Sequence, residues 1–175
     1  MSLPQLVMRN PDITTLPPLI LPEKCKIYHH VENCGMEAVW EDIIKSAFDH
    51  SFPFDFLIKA GDYRPEHVLY FSRNDVPIAT ITAVEHPNYP GEGWYRMLGV
   101  RADAKGMGAG KLIALAALYA LRDRGYTSVL LSTDDHRIPA ISLYLSLGFQ
   151  PYYTHESHAQ RWETVLNTLN DRKIK

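Results

Sequence analysis

Residues 100–112, VRADAKGMGAGKL, set Gly106, Gly108 and Gly110 at alternate positions between an extended apolar run ending at Val100 and a long apolar pattern of helical period. Several backbone N–H groups can converge on one anion only where no Cβ stands in the way, and glycine removes it. A helix that starts at such a loop adds unpaired first-turn N–H groups and the positive end of its dipole, so the anion this segment suits is a phosphate. Lys105 and Lys111 place positive charge on either side. The plainer alternative is a glycine-rich turn that caps a helix and binds nothing.

Three phosphate loops compete for the string. A mononucleotide loop needs GxxxxGK followed by a magnesium-holding Ser or Thr; Lys105 stands in place of its first glycine and Leu112 in place of its hydroxyl, so both requirements fail. The dinucleotide fingerprint GxGxxG loses its third glycine at Lys111, although Asp134 ends the next extended run about where a ribose-binding acid would stand. Too little chain follows Asp134 for a second mononucleotide half, and this alternative stays open only on the loop itself.

The third loop is Gln/Arg-x-x-Gly-x-Gly/Ala, and here the chain resembles the GNAT superfamily of N-acetyltransferases. Lys105 to Gly110, KGMGAG, stands where that family carries its acetyl-CoA pyrophosphate loop. Thr133 to Phe149, TDDHRIPAISLYLSLGF, is similar to the family's Asn-x-x-Ala-x-x-Leu-Tyr followed by Gly-Phe, with Ala140, Leu143, Tyr144, Gly148 and Phe149 in register. Two positions depart from it. Lys105 replaces Gln or Arg and offers a point donor instead of a planar fork, and Arg137 stands where an Asn contacts the pantetheine arm. The likeness spans roughly residues 71–152.

The resemblance implies an α/β fold: a mixed, largely antiparallel central sheet with a splayed parallel strand pair, flanked by helices on both faces. It implies acetyl-CoA as co-substrate and a primary amine on a small molecule or peptide as acceptor, joined by direct attack in a ternary complex. Carried onto this sequence, the cofactor would be bound by Leu98, Gly99, Val100, Lys105, Gly106, Met107, Gly108, Ala109, Gly110, Lys111, Arg137, Ala140 and Tyr144. The N–H of Leu98 or Gly99 would meet the thioester oxygen, where a fixed donor is worth a few kcal/mol as negative charge develops. Tyr144 would face the departing sulfur. A thiol near 8.5 and a tyrosine near 10 make full proton transfer uphill by roughly 2 kcal/mol, so a hydrogen bond to the thiolate serves as well.

An acceptor ammonium with pKa near 10 must lose a proton before it attacks. The candidate bases are Glu85, His86, Glu92, Asp134, Asp135 and His136. Glu85 is the first choice because it ends the strand expected beside the active-site strand. Together these acids suggest a mildly anionic cleft and a cationic acceptor. The competing function is a noncatalytic CoA-binding sensor or assembly module.

The elements that must hold this chemistry read as one domain. At 175 residues, 46% hydrophobic and 22% charged, the chain is of ordinary globular make-up and long enough for a sizeable core. A net charge of −2 argues against nucleic acid as a partner, and two cysteines with neither leader nor membrane-length apolar run point to the cytoplasm and no membrane partner. The eight histidines are scattered, so no metal site is predicted. Pro4, Pro11, Pro17, Pro18 and Pro22 make residues 1–23 an extended arm, mobile or laid over the surface, with residues 24–175 forming the domain.

Within that domain, Cys25 to Val31 reads as a strand, and Met36 to His50 as a helix with a greasy face. Phe52, Phe54 and Phe56 form an aromatic segment that either lines an acceptor pocket or packs in the core. His67 to Arg73 and Val76 to Glu85 form a hairpin around Asn74 and Asp75. Trp94 to Val100, a helix over Gly108 to Arg124, and Ser128 to Thr133 form a crossover unit that sets its two strands parallel. A helix over Ile138 to Leu147 and a strand over Phe149 to His155 follow. An amphipathic helix over residues 159–172 carries Trp162, Val165, Leu166 and Leu169 on one stripe, which either docks on this domain or pairs with a second copy in a homodimer.

Overall fold

The computed structural model describes residues 3–32, 34–59 and 64–173. In chain order the elements are β1 (Leu6–Asn10), β2 (Cys25–His29), α1 (Met36–Phe48), α2 (Asp55–Ile58), β3 (Val68–Arg73), β4 (Val76–Glu85), β5 (Gly93–Val100), α3 (Ala109–Asp123), β6 (Val129–Thr133), α4 (Ile138–Ser146), β7 (Gln150–Tyr152) and α5 (His158–Lys173). The strands form one sheet in the order β2-β3-β4-β5-β6-β1-β7. Every neighbouring pair is antiparallel except β5 and β6. That mixed sheet is the expected fold class, and it removes the dinucleotide alternative, which needs a mostly parallel, doubly wound sheet.

Side chains alternate across the strands and so build two cores. Leu69 and Phe71 of β3 face a large core with α3, α4 and α5, while Val68 and Tyr70 face a smaller one with Trp40, Ile43 and Ile44 of α1. The β3–β4 turn holds Asn74 and Asp75 at φ of 51° and 62°, the left-handed pair that a two-residue hairpin of matching twist requires.

The β5–β6 pairing is short. Gly93, Trp94 and Tyr95 pair with Val129, Leu130 and Leu131, after which the strands continue to Val100 and Thr133 without further pairing to each other. Two parallel strands that share one end and separate at the other leave a wedge between them, and the backbone on its two sides is open to a ligand.

The amino-terminal segment corrects the expectation of an arm. Residues 6–10 form a strand inserted between β6 and β7, with Leu6 and Met8 fully buried. Pro4 and Pro11 bracket that strand without interrupting it, and each buried apolar side chain contributes about 1.5–3 kcal/mol. Asn10 is buried as well; its Nδ2 donates to the Leu147 carbonyl at 2.8 Å and so ties β1 to the end of α4. The carboxy-terminal stripe docks on its own domain, with Trp162, Val165 and Leu169 buried in the large core. β7 spans only residues 150–152 of the longer strand expected there.

Candidate active site

The wedge opens into a cleft of about 890 Å³, walled by β5, β6, the 104–111 loop and α4, with Phe48 of α1 and Phe56 of α2 over one side. Its shape begins with an irregularity in β5. Thr80 pairs with Gly99 and Thr82 with Arg96, so Met97 and Leu98 together oppose the single residue Ile81. Met97 takes a φ of 53°, a left-handed setting that costs a non-glycine residue on the order of 1 kcal/mol. The bulge turns the strand so that Met97 joins the α1 core while Leu98 packs against the α3 core, and both line the cleft.

The glycine loop follows. Ala104 is buried and anchors its start; Arg101 pairs with Asp42 at 2.6 Å and the Ala102 N–H donates to Ser46 Oγ, which pins the approach to α1. Gly106 and Gly108 sit at φ of 82° and 80°, positions an L side chain occupies only with strain. Gly110 sits close to its neighbours: a Cβ there would lie 3.2 Å from Leu143 and 3.3 Å from Val100. Gly108 caps α3 without any side-chain hydrogen bond. Met107 N–H donates to Ala104 O and Lys111 N–H to Gly108 O, whereas the amides of Gly106, Gly108, Ala109 and Gly110 make no hydrogen bond among the described residues. Four free amides at the start of a fifteen-residue helix are an arrangement that could hold an anion, with Lys105 and Lys111 also lining the cleft.

On the opposite wall, α4 presents Pro139, Ala140, Leu143 and Tyr144 to the cleft. Tyr144 is buried against Phe149, yet its hydroxyl makes no hydrogen bond among the described residues. Burial pushes its pKa well above the ordinary tyrosine value, with Arg137 pulling weakly the other way. Arg137 precedes α4, stacks over Phe48 at 4.3 Å and donates from Nε to Asp134 at 3.0 Å.

The structure divides the expected site residues. Leu98, Val100, Lys105, Gly106, Gly108, Ala109, Gly110, Lys111, Arg137, Ala140 and Tyr144 all line one cleft. Gly99 does not: a Cβ there would lie 2.8 Å from Ile44, so it faces α1 and admits that helix. Met107 projects to the outside, 52% exposed, against Arg73. Glu85 lies away from the cleft. It pairs with Gly93 at the closed end of the wedge and accepts the Gly91 N–H at 2.7 Å, bracing the β4–β5 connection. The aromatic segment is split: Phe56 lines the cleft, Phe54 is core, and Phe52 packs between Phe48 and Phe56.

The expectation of an anionic cleft is also corrected, because of the expected acids only Asp134 lines it, and Glu92, Asp134 and Asp135 are each held by a cation. Glu92 pairs with Arg9 at 2.6 Å, and Asp135 pairs with Arg161. Asp134 receives Gln5 at 2.9 Å as well as Arg137. Burial works to raise the Asp134 pKa, but those two hydrogen bonds outweigh it and hold the carboxyl below its ordinary value. Sequence reasoning missed Arg96, a cleft residue in mid-strand between Tyr95 and Met97. The available signal was a charge inside a strand with helices on both faces, where a cation must have a designated neighbour.

A family model described as "Acetyltransferase (GNAT) family" matches residues 36–149. The chain belongs to the GNAT acetyltransferase family. Among curated relatives, mycothiol acetyltransferase of Thermomonospora curvata is 43% identical over 67 residues, which are 38% of this chain and 22% of that one. This GNAT chain thus matches about a fifth of the length of that relative. Among solved structures, a GCN5-related N-acetyltransferase from Sphaerobacter thermophilus superposes with a TM-score of 0.69 at 25% identity, covering 85% of this chain and 49% of that one. The NatC complex bound to Gag peptide and CoA gives 0.63 at 17% identity over 77% of this chain and 92% of that one, a likeness of fold alone. By family, this is a GNAT acetyltransferase domain, and its fold is that of the Sphaerobacter protein.

Proposed function

We propose that this GNAT domain transfers the acetyl group of acetyl-CoA to a primary amine, by direct attack with both substrates bound. The observation that carries the reading is the pairing, in one cleft, of four unbonded loop amides with Tyr144, a largely buried tyrosine whose hydroxyl makes no hydrogen bond among the described residues. Acetyl-CoA supplies an activated acyl carbonyl and a leaving thiolate. The amides of residues 106–110, with Lys105 and Lys111, would hold its diphosphate; the β5 backbone from Leu98 to Val100 and the α4 face at Ala140 would hold the arm, with Arg137 at the mouth. Gly99 and Met107 would contribute main chain only, since their side positions face elsewhere.

The amine nitrogen forms a bond to the acyl carbon, the carbon–sulfur bond breaks with its electron pair on sulfur, and the nitrogen's proton goes to thiolate or solvent. The Leu98 N–H, at the bulge of β5, is the proposed donor to the developing oxyanion. Tyr144 donates a hydrogen bond to the sulfur. With its pKa raised by burial, handing over the proton outright is more uphill than for a free tyrosine, so stabilisation of the thiolate is the favoured role.

Deprotonation of the acceptor follows from what lines the cleft. Glu85 is too far along the sheet, four strand positions or roughly 13 Å from Met97, to act directly. Asp134 is the cleft's only carboxylate among the described residues, and its lowered pKa makes it a weak base. The acceptor therefore enters as the free amine, having lost its proton to water.

The test is thiol release from acetyl-CoA with a panel of primary amines, beside calorimetry with CoA. Acetylated amine and stoichiometric thiol are expected. Heat of CoA binding without turnover on any amine would instead support a sensor, and no heat at all would remove the coenzyme from the reading.

A further inference from the structure

The cleft has a second half, on the α1–α2 side of β5, that the acetyl-CoA reading leaves unassigned. Trp94 and Arg96 stand two residues apart on the face of β5 opposite Tyr95, whose hydroxyl is sunk in the other core against the Ala114 carbonyl. Phe56 of α2 reaches over them. The Arg96 guanidinium carbon lies 4.6 Å from the Phe56 ring centroid and 5.3 Å from that of Trp94. Two rings hold this cation by its quadrupole attraction, and burial lowers its pKa because nothing nearby compensates for lost water.

Arg96 makes neither an ion pair nor a hydrogen bond among the described residues. That sets it apart from every other arginine around the cleft. Arg9, Arg101, Arg137 and Arg161 each hold a carboxylate. The cleft's own acid, Asp134, is taken up by Arg137 and Gln5. The acceptor half therefore presents a half-buried, ring-clamped guanidinium with five N–H donors and no protein acceptor for them.

We propose that Arg96 is the subsite for a carboxylate carried by the acceptor, so that the amine acetylated here belongs to an amino acid or a similar small amino-carboxylate. The inference rests on the acetyl-transfer reading above. A planar fork matches the two oxygens of a carboxylate in a bidentate pair. The match in charge is one to one, whereas a phosphate monoester dianion would keep a surplus charge in a half with no second free cation among the described residues. The exposed face of Phe56, 37% accessible, gives the remainder of such an acceptor an apolar surface to lie on.

The experiment compares phenylalanine, phenylalaninamide and phenethylamine, with phosphoethanolamine and spermidine as further arms, by thiol release from acetyl-CoA, in the intact chain and in Arg96→Met and Arg96→Lys. The amino acid is expected to exceed its amide and decarboxylated counterpart at least tenfold in kcat/KM. Arg96→Met should reduce that ratio to within about twofold through KM with kcat little changed, and Arg96→Lys should restore part of it. Preference for spermidine, for the amide or for phosphoethanolamine overturns the proposal, as does a carboxylate preference that survives Arg96→Met. Where none of these amines turns over, tryptophan fluorescence of the CoA-loaded protein is titrated with N-acetylphenylalanine and its amide. Saturable binding of the acid alone, lost in Arg96→Met, supports the subsite, and equal binding or none overturns it. CoA binding heat, measured on the same samples, is expected to be equal in all variants; its absence would instead strike the acetyl-transfer reading.

Discussion

The two halves of the cleft are built on different principles. The half proposed for the coenzyme is made of main chain: a bulged strand, a loop with two left-handed glycines, and a helix start with unpaired amides. The acceptor half is made of side chains, Phe56, Trp94 and Arg96, brought together from a short helix and a strand nearly forty residues apart. A backbone site constrains sequence locally, because only particular residues allow the conformation. A side-chain site leaves no such local mark, since any strand can carry an arginine. On the reading proposed above, the first half holds the coenzyme and the second selects the acceptor.

The largest expected effect breaks the coenzyme half. Gly106→Val combined with Gly108→Val forces two β-branched residues into left-handed conformations costing about 1–2 kcal/mol each, so CoA affinity should fall roughly 100-fold by calorimetry. Next is Tyr144→Phe, which removes one hydroxyl and leaves the packing against Phe149; kcat should fall about tenfold or more with CoA affinity unchanged. The acceptor half yields a pH effect. With no effective base in the cleft, kcat/KM should rise about tenfold per pH unit up to the acceptor's own pKa, and Asp134, whose carboxyl is already ionised well below neutrality, should add no inflection there. Lys105→Ala should weaken CoA binding only about threefold, as loss of one exposed charge beside four amides, and more at low salt than at high. Glu85→Gln should change kcat by less than about twofold in steady-state kinetics, because that side chain braces the β4–β5 connection and leaves the chemistry alone.

How much could be read from sequence follows the same division. The glycine loop, the helix behind it, the parallel crossover and the register of Tyr144 were legible, since each rests on short-range rules of conformation or on contiguous motifs. Leu6–Asn10 was hidden by its prolines: Pro4 and Pro11 forbid a helix, but they stand outside a strand whose partners, Val129–Thr133 and Gln150–Tyr152, lie more than 110 residues downstream. Glu85 misled because strand adjacency alone does not tell which end of a wedge is open; only the short pairing of Gly93–Tyr95 with Val129–Leu131 does. The acids misled because counting charges ignores partners, and Arg9, Arg137 and Arg161 supply them from three separate elements.

The central claim concerns main-chain amides, and amide resonances report on it directly. In a titration of the ¹⁵N-labelled protein with CoA, the N–H signals of Gly106, Gly108, Ala109 and Gly110 should move downfield together and saturate with a single dissociation constant, as donors to the diphosphate must. If those four stay in place while CoA binds, the coenzyme is held elsewhere and the account of this cleft is wrong.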